Sequence, residues 1–285
     1  MSILQFLGTA WSFEPWAVIF ALALIASYAV MPGSRFNRKS LMFASGILLM
    51  VLALTSPLDY LGRNYLFSAH MVQHILLLLV IPLMLLSGIP ETAAEKALNL
   101  PVAGGIIRFL GNPVPAWVLG VGSMWVWHMP PLHDTVMKSE NLYIAQQISF
   151  VLTGVIFWWP VFAPVRSGRL APLAATLYLA SACLGCTILG MLITFAGAGL
   201  YPAYANPADS AGILSYIRND LCITPGVDQQ IGGLTMWVPG CLIYLAASIL
   251  TIARWYAAPE TDAAGIRAGA NPLAKAGFTT GIKRS

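Results

Sequence analysis

Charge is what this chain has least of. Asp, Glu, Lys and Arg make up 9% of its 285 residues while 58% are hydrophobic, and the mean hydropathy is +0.75. A soluble domain carries about 25% charged residues, so that class is excluded. The net charge of +4 does not describe a nucleic-acid surface, because the basic residues sit in short loops and near the C-terminus. Cysteine is scarce as well: four in so apolar a chain do not make a disulfide framework. Carboxylates are nearly missing from the apolar runs, which argues against a proton-coupled pump. There is no Gly-rich phosphate loop, zincin His-Glu motif, Gly-x-Ser-x-Gly elbow or Cys-x-x-Cys-His haem attachment, and no enzyme activity is expected. Residues 1–13 hold no Lys or Arg, so the positive start of a signal peptide is lacking. The first apolar run is instead followed by Arg35, Arg38 and Lys39, as for an uncleaved span entering from outside.

What the chain does have is seven apolar runs, at about 14–32, 40–56, 68–88, 113–129, 142–162, 172–197 and 232–256. Crossing a bilayer as a helix takes about 20 residues. Pro and Gly punctuate the gaps, and no period-two alternation suggests a barrel. The expected fold is therefore all-α: a polytopic integral membrane protein with a seven-helix domain over 1–257 and a mobile, basic cytoplasmic tail over 258–285. With the N-terminus outside, only Arg63, Lys138 and Arg218 of the fifteen Lys and Arg fall on the outer side. The positive-inside rule then gives N-out, C-in.

In that orientation the polar residues gather at the outer surface. His70 and His74 open the third run, four residues apart and so on one helix face. Two imidazoles so placed can share a metal if other helices add ligands, or can simply bond to water and neighbouring carbonyls. His128 closes the fourth run, with His133 and Asp134 just beyond. Gln146 and Gln147 open the fifth, and Asp228, Gln229 and Gln230 the seventh. A site built from these groups is expected to be shallow and to open outward. His70, His74 and His128 are the candidate ligands, with His133 if its loop folds back. Met71, Met124, Asp134, Asp228 and Gln230 are candidate accessory or outer-shell partners, Asp228 alternatively a helix cap. Imidazole with thioether is a donor set for Cu(I), although Met is also a common gap-filler in apolar cores. Cys183 and Cys186 share a face of the sixth run; small-residue helix packing beside Gly185 and Gly190 accounts for them more simply.

Four motifs carry a family resemblance: His70-Met-Val-Gln-His74, Trp127-His-Met-Pro-Pro-Leu-His-Asp134, Ser149 to Pro160, and Asp228-Gln-Gln-Ile-Gly-Gly-Leu-Thr-Met-Trp-Val-Pro239. In this order they resemble the CtaG family, cytochrome c oxidase assembly factors associated with caa-type oxidases, over residues 14–256. The resemblance implies a seven-helix protein of the bacterial inner (plasma) membrane that matures a haem–copper oxidase, at the copper-delivery step. Oxidase subunits or copper chaperones, together with membrane lipids, would be its partners. One departure stands out. Where the family's fifth helix opens with a Glu-His pair, and often a His one turn earlier, this chain has Gln146, Gln147 and Tyr143. Two other readings remain open: a cytochrome b-like electron carrier with haem between His74 and His128, and a structural oxidase subunit that binds nothing.

Overall fold

The computed structural model describes residues 3–257, and the expected tail at 258–285 lies outside them. The elements are α1 (Ile3–Thr9), α2 (Pro15–Ala29), α3 (Arg38–Thr55), α4 (Pro57–Asn64), α5 (Phe67–Gly88), α6 (Glu91–Leu98), α7 (Pro101–Leu110), α8 (Pro113–Trp127), α9 (Pro130–Lys138), α10 (Glu140–Phe162), α11 (Pro172–Phe195) and α12 (Pro225–Tyr256). Among the described residues there is no strand.

The helix starts follow from local chemistry. Pro15, Pro57, Pro101, Pro113, Pro130, Pro172 and Pro225 each occupy the first helical position. There a missing N–H costs nothing and the fixed φ suits a helix. Asn37 and Ser40 form a reciprocal capping box ahead of α3. Thr224 caps α12 by accepting from Val227 N, so this helix begins well before the apolar run at 232.

Five helices (α3, α5, α10, α11 and α12) are long and apolar enough to cross a membrane, and α7 with α8 would make a sixth, bent by 68°. The remaining apolar run is α2, which has 15 residues. α5 is the most enclosed of the spans, 61% buried, and packs against α3, α4, α10 and α12. α8 does not lie alongside α5; it packs on α10, with a smaller seam to α11. Midway along α5 the helix loosens into a π turn over Leu76–Val80. Pro82 follows, with no N–H to donate and a ring that crowds the preceding turn. Trp158 Nε1 on α10 donates to the Leu79 carbonyl at this break, 2.8 Å.

Candidate metal centre

The N-terminal end of α5 is fixed from another helix. Asp228 on α12 accepts from Phe67 N (2.7 Å), Ser68 N (3.0 Å) and the Ser68 hydroxyl (2.6 Å). Its carboxylate thus serves as the N-cap of α5, satisfying donors that a helix start leaves orphaned. It neither orients an imidazole nor caps its own helix. Gln230, expected beside it, is exposed, because two residues along a helix point to a different face. The buried neighbour is Gln229, which closes the end of α11 by donating to Ile193 O (3.1 Å) and accepting from Leu200 N (3.1 Å).

From that anchored end, α5 projects His70, Met71 and His74 into the bundle, all buried. His128, the residue after α8, points its ring at them. Its Nδ1 stands 2.5 Å from the Met124 carbonyl, its Nε2 3.3 Å from His74 Nδ1 and 3.2 Å from Met71 Sδ. A carbonyl only accepts, so His128 Nδ1 carries the proton and Nε2 the lone pair. Met71 sulfur is also an acceptor. Two lone pairs therefore face each other, with His74 beside them, and either a proton on His74 Nδ1 or a cation resolves the encounter. The 3.3 Å between the imidazole nitrogens suits two ligands each about 2 Å from one ion.

The other two imidazoles form a second tier. The His70 ring lies 4.0 Å from that of His74 and 5.3 Å from that of His133, centroid to centroid. Neither nitrogen of His70 or His133 has a hydrogen-bond partner, nor has His74 Nε2. His133 is brought in because the segment after Pro130 is a helix, α9, rather than a loose loop. It packs among Phe67, Tyr201 and Tyr204 with ring centroids at 5.8, 4.6 and 5.8 Å. Burial pushes its pKa down to about 3, with His128 adding to the effect; at neutral pH its ring is an uncharged potential ligand. Among the described residues no three His, Cys, Asp or Glu side chains converge closely enough to hold one ion. The tightest donor set is instead His74, His128 and Met71.

The family model for cytochrome c oxidase caa3 assembly factors matches residues 17–258. The chain belongs to that family. An uncharacterized protein of Mycobacterium leprae is 24% identical over 271 residues, covering 87% of this chain and 40% of the relative. Another, of Mycobacterium bovis, is 26% identical over 212 residues, 66% of this chain and 30% of the relative. The chain thus spans well under half the length of these relatives. No solved structure matches it.

In this family member the site is closed, not open outward as the shallow position of its residues suggested. All four His are at most 3% exposed. The long segment after α11 lies over them: Tyr201 stacks on Phe67 (4.3 Å) and donates to the His128 carbonyl (2.9 Å), while Tyr204 donates to the Gly62 carbonyl (2.7 Å). Asp134 pairs with Lys138 on α9, 3.0 Å. Met129 is exposed, whereas Met124 and Met236 are buried near His128 and His74.

Gln146 and Gln147, at the family's Glu-His positions, are both buried. Gln146 approaches the His74 ring, but neither atom of its amide closes a bond of ordinary geometry. Gln147 donates a long 3.4 Å bond to Gln73. That bond leads to a polar group that the sequence reading passed over. Asp59 on α4 is buried and accepts from Gln73 Nε2 (2.6 Å) and the Tyr143 hydroxyl (2.6 Å). Gln73 also donates to the Ala53 carbonyl, 2.9 Å. Burial raises the Asp59 pKa, with the bonds from Tyr143 and Gln73 and the charge of Arg63 pulling against it. Gln73 stood in the quoted His70–His74 motif, and an amide inside an apolar run was the available signal.

Proposed function

We propose that this assembly factor spans the bacterial inner membrane seven times, N-terminus outside, and carries Cu(I) to a haem–copper oxidase at the outer face. In this reading α2 and the bent α7–α8 pair complete the seven crossings. The observation that carries the copper step is the encounter of His128 Nε2 with Met71 Sδ (3.2 Å) and His74 Nδ1 (3.3 Å). The Met124 carbonyl fixes the His128 tautomer with its lone pair inward, the role outer-shell acceptors play for metal-bound imidazoles. Two imidazoles and a thioether form a soft, low-coordinate set that accepts Cu(I) as cargo and leaves room for a recipient's ligands to take over. Segment 198–224, with Tyr201 and Tyr204 over the His groups, is where an oxidase subunit or copper chaperone would have to open the cover.

The distances favour Cu(I) over a haem. A bis-imidazole haem places the macrocycle between the two rings, whereas His74 and His128 nitrogens are already 3.3 Å apart. The cavity beside them is only about 20 Å³. A structural subunit that binds no metal remains the competing reading, and it draws on Gln146 and Gln147. One experiment separates the two. Changing His74 to Ala should lower copper bound to the purified protein and oxidase maturation under copper limitation together, with membrane insertion unchanged. Full oxidase activity in that variant under copper limitation would replace the copper reading with the structural one.

A further inference from the structure

Far from the His groups, at the opposite end of the bundle, the seam between α2 and α3 opens into a groove of about 290 Å³. Ile25 and Tyr28 of α2, Phe36 of the connection, and Leu41, Phe43 and Ala44 of α3 line it. The opening has a packing cause. α2 packs on α3, and its buried residues are Ala17 and Ala21; small side chains let helices approach closely. Two turns beyond Ala21, the Tyr28 ring stacks on Phe43 at 4.4 Å and holds the two backbones apart. Both hydroxyls on the groove are spent: Ser40 in the capping box with Asn37, and Tyr28 on the Gly88 carbonyl, 3.4 Å. What is left is an apolar slot. Its mouth is cationic. Arg35, Arg38 and Lys39 are all exposed, and the ion pairs among the described residues, Arg63 with Glu14 and Lys138 with Asp134, involve none of them. Leu41 and Phe43 follow Arg38 and Lys39 by three and four residues, so these cations stand one turn above the slot on the same helix faces. Helical side chains lean toward the N-terminus, here away from the slot. Phe36, between Arg35 and Arg38, is 98% exposed. The connection is held in place: Thr92 of α6 donates to the Pro32 carbonyl (2.8 Å), and Gly33 supplies the φ of +82° that the turn requires. Glu91, beside Thr92, exerts its charge on Arg169.

An apolar slot along two helices, closed by cations at one end, is complementary to a molecule with a hydrocarbon chain and an anionic head. Basic pockets between spanning helices on the cytoplasmic side recognise lipid headgroups in this way. We propose that the α2–α3 groove holds one acyl chain of an anionic phospholipid, with the phosphate of its headgroup among Arg35, Arg38 and Lys39. Guanidinium groups pair with phosphate oxygens in a planar fork, and the Lys39 ammonium adds a point charge. A neutral lipid would fill the slot equally well but leave the three cations unanswered. The lipid also answers a deficit of α2, whose 15 residues reach about 22 Å where the hydrocarbon layer is about 30 Å thick: the chain packs the seam that the helix pair leaves open. Only the choice of leaflet, the cytoplasmic one, rests on the N-out reading. A failed reporter fusion after Ser285 would move the lipid to the other leaflet without removing it.

The test is native mass spectrometry of the purified full chain, stripped of lipid in detergent and titrated with phosphatidylglycerol or with phosphatidylcholine of the same acyl chains. The expected result is one phosphatidylglycerol per chain, with phosphatidylcholine bound about tenfold more weakly or worse. The Arg35→Gln, Arg38→Gln, Lys39→Gln variant should bring phosphatidylglycerol down to the phosphatidylcholine level. These side chains are exposed and the Asn37–Ser40 capping box is left intact, so the helix start is not at stake. Ala44→Trp, at an exposed position on the groove, fills the slot and should weaken phosphatidylglycerol with all three cations in place. Equal affinity of the wild type for the two lipids would overturn the proposal, as would a preference that survives in the triple variant. Unchanged phosphatidylglycerol affinity in Ala44→Trp would overturn the groove as the seat of the chain. The basic pair Arg169 and Arg254, whose charges repel each other, is the control: a preference lost in Arg169→Gln, Arg254→Gln but kept in the triple variant would place the headgroup there and overturn the assignment.

Discussion

Without the Asp228 carboxylate, the first turn of α5 would keep two backbone N–H groups and the Ser68 hydroxyl with no acceptor. Each buried donor left unsatisfied costs about 1–3 kcal/mol. Asp228→Ala should therefore lower the thermal unfolding temperature clearly, and Asp228→Asn, which keeps one acceptor oxygen, should lower it less; thermal unfolding in detergent reads both. Asp59 poses the opposite problem, a carboxylate that burial disfavours when charged. Its raised pKa means that the folded chain binds more protons than the unfolded one as pH rises above the ordinary carboxylate range. Stability contributed at this site thus falls as pH climbs through that window. Asp59→Asn retains an acceptor for Tyr143 and Gln73 and should flatten this slope at little cost, whereas Asp59→Ala should destabilise by about 1–3 kcal/mol. Unfolding midpoints measured across pH separate the three proteins. The pairing of His70 with His74 was readable from a spacing of four. The roles of Asp59 and Asp228 were not, because their partners lie 14 to 161 residues away.

At the scale of elements, five of the seven apolar runs form helices long and apolar enough to cross a membrane, since hydropathy and proline punctuation act locally. The short helices were harder to read. α4 and α9 are too short and too polar to stand out, yet they bring Asp59 and His133 against α5. α4 can approach because Gly62 lacks a side chain: a Cβ there would lie 2.9 Å from His70 N and 3.0 Å from its Cα. Such contacts are with backbone and cannot relax by a rotamer change. Gly62→Val should push α4 off α5 at the height of His70, lowering both stability and copper binding, while Gly8→Val, with open space around its Cβ, should change neither. Copper content and unfolding temperature of the two variants check this. The tight contact also explains why the site is closed. With α4 and α9 both folded onto α5, the tyrosines of segment 198–224 complete a cover that no single helix pattern announces.

For the whole molecule, function depends on which face of the membrane carries the His groups. Oxidase copper on an outer face can be reached only if the outer end of α5, His128 and the tyrosine cover all lie outside. The chain's own charges supply the argument. Among the described residues, three basic side chains at the His end are engaged: Arg63 lies over the Tyr143 ring at 4.7 Å, Lys138 pairs with Asp134, and Arg218 donates to the Ile223 and Tyr204 carbonyls. Arg35, Arg38 and Lys39 lie at the opposite end, around the start of α3. Basic residues near span ends resist translocation, so the Lys/Arg bias of the loops sets the orientation. Seven crossings with the N-terminus outside would then place Ser285 in the cytoplasm. A reporter that is active only in the cytoplasm, fused after Ser285, should be active, and a periplasm-specific reporter at the same point silent. A further fusion within the largely exposed stretch 206–210 should give the reverse. Periplasmic activity at Ser285 would turn the His groups toward the cytoplasm, where they could not serve an outward-facing copper centre.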